Sequence, residues 1–270
     1  MDERPISIPL KLLALAMFVF LLAPLLIVLP ISFSGDNYMI FPPTSWSTRW
    51  YAAIFADAKM TSAFTTSLGL ASVVTLLSLA IGLPAAYALV RLKPPGAAAL
   101  ASFFTAPLLL PTIVLGLAIL IVFSGYGLLG SFRGLVAAHL VITLPYAIRV
   151  LSTALSTLPI AFEEAAASLG ASPLTVFRRV TLPMMRSGII GTMALCFLVS
   201  FDEVVLSLFL TGPRLTTLPV AMFHRVEQQA DPMVASLSVL LVALTLAVVL
   251  IVDRTSGLAR TFVNRPTSSR

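Results

Sequence analysis

Six long stretches with almost no charge recur along this chain, at about residues 11–31, 62–90, 96–123, 134–156, 188–210 and 233–252. A helix that crosses a bilayer needs roughly 20 such residues, and a water-soluble core has no room for six of them. The composition agrees. Of 270 residues, 59% are hydrophobic and 10% are charged, where a soluble domain carries about a quarter charged. So few charges do not cover a water-facing surface, which excludes a soluble enzyme. The reading is an all-α, polytopic membrane protein with six transmembrane helices in a single transmembrane domain, 1–270, with no room for a large extra domain. The first run is too long for the core of a signal peptide, and Asp2 and Glu3 make a poor basic leader, so it is read as a retained span. The one cysteine, Cys196, lies within an apolar run, so no intrachain disulfide is possible.

An even number of spans places both termini on one side. That side holds Arg4, Lys11, Arg91, Lys93, Arg149, Arg178, Arg179, Arg186, Arg254, Arg260, Arg265 and Arg270, twelve of the 17 basic residues. Arg49, Lys59, Arg133, Arg214 and Arg225 fall on the other. Lys and Arg accumulate in cytoplasmic loops, so both termini and the stretch 157–187 are expected in the cytoplasm. The net charge of +6 then reports orientation rather than binding of nucleic acid. Trp46, Trp50 and Tyr51 fall in the first outer loop, where aromatic side chains anchor at the interface. Membrane lipid is thus the chain's first partner.

Most loops between spans are short, yet the stretch 157–187 before the fifth span keeps about thirty residues and has helical design. Pro159 suits an early helical position, Glu163 and Glu164 follow it, and Gly170 can end a helix in the left-handed conformation. Ser172-Pro173 announces a second short helix, an N-cap with proline at the first position. Val176, Phe177 and Val180 form its apolar side, Arg178-Arg179 stand near its end, and Leu182-Pro183 is expected to break the chain before the fifth span. On the first helix Ala165, Ala166, Ala167 and Ser168 leave a thin rod, Phe162 and Leu169 supply apolar anchors, and Glu164 supplies a charge. Such a helix suits a groove on a partner; a helix lying on the membrane surface is the alternative.

Glu164-Ala165-Ala166, then Gly170, then Val180-Thr181-Leu182-Pro183 resembles the EAA motif of ABC importer permeases, E-A-A-x3-G-x9-I-x-L-P, with Val180 in place of Ile as the one departure. Phe41-Pro42-Pro43, Arg49-Trp50-Tyr51, Pro107 to Pro111, and 200–205 leading to Thr211-Gly212-Pro213 are similar to the spermidine/putrescine permeases of the C type. The resemblance implies the type I ABC importer permease fold in a bacterial inner membrane. It also implies a second permease subunit, most often a different homologous chain, two cytoplasmic ATPase subunits and an extracytoplasmic solute-binding protein. By the same resemblance Glu164, Ala165, Ala166, Ser168, Leu169 and Gly170 contact an ATPase subunit. No phosphate-binding Gly-rich loop ending in Lys-Ser/Thr occurs, so the chain is expected to be no enzyme and to hold no cofactor. ATP and Mg are expected on the partners.

One pair of acids, Asp202 and Glu203, falls deep in a predicted span, where an ionisable residue is a functional candidate. On a continuous helix Asp202 would lie about 12 Å from the outer end. Glu203 would share a face with Ser200 and Ser207, a polar stripe able to line a path, and Asp202 would face Leu198, Leu206 and Phe209. That arrangement favours Glu203 as the pathway residue. The acids either attract a cationic solute or tie helices together, through caps or through a basic group of the other permease. Other cargoes (an amino acid such as GABA, an aminophosphonate, ferric iron) and an ATP-independent secondary transporter remain open at this point. His139 is read as a hydrogen-bonding packer, and His224, Arg225, Glu227 and Asp231 as an outer loop that is either solvated or meets the binding protein. Arg149 is read as snorkelling to the inner interface. No cluster has metal-ligand spacing.

Overall fold

The structure, a computed structural model, describes residues 7–256. Arg4, Arg260, Arg265 and Arg270 lie outside the described residues. The described chain is almost wholly helical. Helices α1 (Ile8–Ser32), α2 (Arg49–Ala56) and α3 (Ala58–Tyr87, continued by a π turn over Ala88–Leu92) come first. Next are α4 (Ala97–Thr105, with a 3₁₀ turn Ala106–Leu109), α5 (Thr112–Gly125) and α6 (Phe132–Ser156). The intervening stretch holds α7 (Ala161–Ser168), α8 (Pro173–Val176), a π turn Phe177–Thr181 and α9 (Leu182–Met184). Then come α10 (Arg186–Phe201), α11 (Val205–Leu210), α12 (Leu218–Gln228) and α13 (Met233–Ser256).

Four of these are long and apolar enough to cross a bilayer, namely Ile8–Ser32, Ala58–Leu92, Phe132–Ser156 and Met233–Arg254. Counting two bent pairs as one crossing each gives six among the described residues. The third predicted span is one of these pairs: Ala97–Leu109 and Thr112–Gly125 meet at 101°. Leu110 is extended and Pro111 is the N-cap residue of α5, and a proline there removes the donor that would continue the preceding helix. In the second pair, Pro173–Met184 and Arg186–Phe201, the chain bends by 70°. The bend falls at Met185 rather than at Leu182-Pro183. Pro183 opens α9, a position proline tolerates, and the widened π turn Phe177–Thr181 lies just before it.

The described residues form two compact units, one of 7–61 with 222–244 and one of 62–221 with 245–256. In the first, the loop after α1 is built on Asp36. Its carboxylate accepts from Ser34 Oγ at 2.9 Å, Thr44 N at 2.9 Å, Ser45 Oγ at 3.2 Å and the Thr44 hydroxyl. These donors, Thr44 foremost, pull the Asp36 pKa down to about 2 because they favour the charged form. Arg49 and Trp50 donate to the Asp36 carbonyl, and Tyr51 donates to Ser32 Oγ. Arg225 binds Asp57 at 2.8 Å and Asp231 at 2.6 Å. It is a brace rather than a solvated charge, and its contact with Asp231 holds the guanidinium above its ordinary range.

The second unit is organised around α6. One face of that helix buries Leu135, Ala138, His139, Ile142, Thr143, Ala147, Ile148, Leu151 and Leu155. Toward one end, Leu70, Val74, Leu115, Ile119, Leu206 and Leu210 join it in a core; toward the other, Ala86 and Met185 do so. Small residues set the closest approaches. A Cβ on Gly82 would stand 3.0 Å from Ala147 Cβ, and one on Gly188 would collide with Ala154. Without a hydrophobic driving force between helices in lipid, such close backbone packing is what holds them together.

Candidate functional site

Two groups of residues deserve the name. The first is α7 and its surroundings. Gly170 has φ +85°, and the helix closes with Ala171 N donating to Ala166 O at 3.2 Å and Gly170 N to Ala167 O at 2.9 Å. That pair of bonds is a Schellman cap, which requires the left-handed residue that glycine supplies. Ser172 caps α8 through Thr175 N, with Pro173 at the first turn, as its sequence predicts. Phe162 is 53% and Leu169 90% exposed, and Glu164, Ala165 and Ser168 are exposed with them. Ala166 is half-buried, on the side turned toward the chain itself. The thin rod therefore has an outer face, Phe162, Ala165 and Leu169, at helical spacing.

What the sequence did not announce is how α7 is held. Glu163, the residue before the motif, receives Arg91 Nε at 3.1 and 3.2 Å and Thr181 Oγ1 at 3.1 Å. Arg91 also donates to the Leu158 carbonyl at 3.1 Å. Phe177 packs edge-on against Tyr87 with ring centroids 5.2 Å apart. One carboxylate thus joins the C-terminal end of the α3 segment, the start of α7 and the π turn that leads into α10. The side chains are about a tenth exposed, so water weakens this pair less than it does a surface pair. A doubled acid at 163–164 and a basic turn at 91–93 were visible signals, but 72 residues separate the partners.

The second group surrounds Asp202 and Glu203. The predicted fifth span is not one helix here. Helix α10 ends at Phe201 and α11 begins at Val205, so faces computed along a continuous helix do not apply. The local cause is Glu203, whose Oε1 accepts from Leu206 N at 2.8 Å. A side chain that satisfies an amide of the next helix competes with continuation of the previous one. Glu203 is half-buried and engaged in this cap, whereas Asp202 is exposed. Ser200 and Ser207 do not form a stripe with Glu203. They are buried, and both bond His139, at 2.9 Å to Nδ1 and 3.1 Å to Nε2. The packing role expected of His139 is the one observed. Arg149 is exposed and lines a cavity of about 570 Å³ with Ser102, Thr105 and Ser152.

Residues 78–259 match the family described as binding-protein-dependent transport system inner membrane component. The chain is 36% identical to the putrescine transport system permease protein PotI of Escherichia coli strain K12, over 83% of this chain and 82% of that protein. It is 29% identical to the spermidine/putrescine transport system permease protein PotC of Haemophilus influenzae, over 87% and 91%. Among solved structures, a bacterial ABC transporter involved in import of the acidic polysaccharide alginate superposes with a TM-score of 0.62 at 14% identity, covering 99% of both chains. At that identity the likeness speaks to the fold.

Proposed function

Since the chain belongs to the binding-protein-dependent transport system inner membrane components, we propose that it is the permease subunit of an ATP-driven importer whose solute is a polyamine. The observation that carries the reading is the projecting face of α7, Phe162, Ala165 and Leu169, placed within the EAA spacing. An exposed, rigidly capped apolar ridge next to a charge is the shape that a groove on a partner accepts. Its occupant is a cytoplasmic ATPase subunit, one of two. ATP and Mg²⁺ sit on those subunits, and this chain binds neither and is no enzyme. A second permease, most simply a homologous different chain, completes the pathway, and an extracytoplasmic binding protein delivers the solute. Both termini face the cytoplasm of a bacterial inner membrane.

Force enters at α7 and passes through the Arg91–Glu163–Thr181 junction to the inner ends of α3 and α10. Movement of α7 then moves two spans together, a rigid-body change of the kind that switches access in transporters. Two features favour a cationic solute. Relatives are named for putrescine and spermidine, and Asp202 and Glu203 follow directly after the C-terminal end of α10. A helix C-terminus is the negative end of its dipole, so dipole and carboxylates act in the same sense on an ammonium group. The test is ATP-dependent uptake by proteoliposomes containing the complete complex, offered putrescine, spermidine, GABA, an aminophosphonate and ferric iron. Accumulation of the polyamines alone supports the proposal. Accumulation of another solute without them rejects the cargo, and uptake without ATPase subunits rejects the class.

A further inference from the structure

His139 lies on α6 and is completely buried. Its two ring nitrogens contact Ser200, one residue before the end of α10, and Ser207, the third residue of α11. A neutral imidazole has one N–H and one bare nitrogen, so one serine accepts from the ring and the other donates to it. One side chain is therefore bonded on both sides of the interruption at 202–204. The helix behind it is itself tied down. Thr143 Oγ1 donates to the His139 carbonyl at 2.8 Å and lies 2.8 Å from Ser78 Oγ on α3, and Cys196 Sγ reaches the Thr143 carbonyl at 3.7 Å.

We propose that His139 is a positioning residue, a clamp that fixes the angle between α10 and α11 and thereby aims Asp202 and Glu203. This rests on the reading of those acids as cation-facing groups. The apolar contacts of α11 do a different task. Leu206 and Leu210 pack with Leu70, Leu115 and Leu135, which keeps α11 in the core whether or not the clamp is present. Packing of that kind leaves some freedom of tilt, while two hydrogen bonds from one planar ring do not. The buried hydroxyls also gain from the arrangement, since a polar group left without a partner in the membrane interior is costly.

The test uses the assembled complex in lipid nanodiscs. In His139→Ala, amide hydrogen exchange over residues 202–208 is expected to rise by about tenfold, the scale of losing one to two buried hydrogen bonds, with exchange elsewhere unchanged. His139→Asn, which keeps a polar atom near the Nδ1 position, and His139→Gln, which keeps one near Nε2, are expected to give smaller rises. They also serve if the alanine variant fails to assemble. Polyamine uptake is expected to fall in His139→Ala, and adding Asp202→Asn is expected to cause no further loss beyond that of Asp202→Asn alone, because both act through one geometry. Unchanged exchange in all three variants overturns the clamp, and losses that multiply in the double variant overturn its positioning role. Normal uptake in both Asp202→Asn and Glu203→Gln, alongside raised exchange in His139→Ala, rejects the reading of the acids while the hold on the break stands.

Discussion

Glu203 has two separable properties, a charge and a cap. Glutamine keeps an acceptor for Leu206 N and removes the charge, so Glu203→Gln isolates the second from the first. Polyamine uptake is expected to fall by roughly tenfold, the size of one charge-assisted contact, with the complex still assembled. Asp202→Asn is expected to cost at least as much, because Asp202 is the exposed carboxylate. Initial rates of uptake at equal membrane levels check both, and wild-type rates would reject a pathway role. Asp36 offers a second test, outside the membrane. Its folded pKa of about 2 lies below the ordinary 3.8 of an aspartate, so its contribution is present above the ordinary carboxylate range and is lost as pH falls toward 2. Of the chain's two tryptophans, Trp46 bridges to Ser34 within this loop, and Trp50, in the helix that follows, donates to the Asp36 carbonyl. Their fluorescence is expected to change in that acid window, and Asp36→Asn is expected to abolish the transition.

Individual helices show where local sequence suffices. The start of α8 at Ser172-Pro173 and the glycine stop of α7 follow from capping chemistry within six residues, and both were legible. Gly170→Val keeps open space around its Cβ but forces a branched residue to φ +85°, at a cost of about 1–2 kcal/mol. Fraying of α7, read by hydrogen exchange, is the expected outcome. The break in the fifth span was not legible, because apolar content is the same on either side of it and only the Glu203 cap marks the interruption. The junction at Glu163 was hidden for another reason, namely that pairing across the fold is a tertiary fact. Arg91→Ala or Glu163→Gln is expected to weaken the hold on α7 by about 2 kcal/mol, leaving ATP hydrolysis intact while uptake falls. Partial recovery of uptake in the charge-reversed pair, Arg91→Glu with Glu163→Arg, is the expected control. Loss of hydrolysis and uptake in parallel would contradict a transmitting role.

Across the whole molecule, the span pattern was the most readable property. Runs of apolar residues place the first, second, fourth and sixth spans within a few residues of α1, α3, α6 and α13. The bent third span carries prolines at 107 and 111, but no sequence feature specifies 101°. Which helix faces meet is decided by pairs such as Gly82 with Ala147, and those contacts exist only after folding. The central claim is that α7 conveys the work of ATP hydrolysis to the spans, and its outer face allows a clean test. Ala165→Trp and Leu169→Glu alter exposed positions, whereas Ala166 is half-buried against its own chain. The direct measurement is ATP-driven polyamine accumulation in proteoliposomes, taken together with ATPase co-purification, for these two variants. The account predicts loss of the ATPase or of accumulation with the permease still folded; full accumulation with the ATPase bound would contradict it.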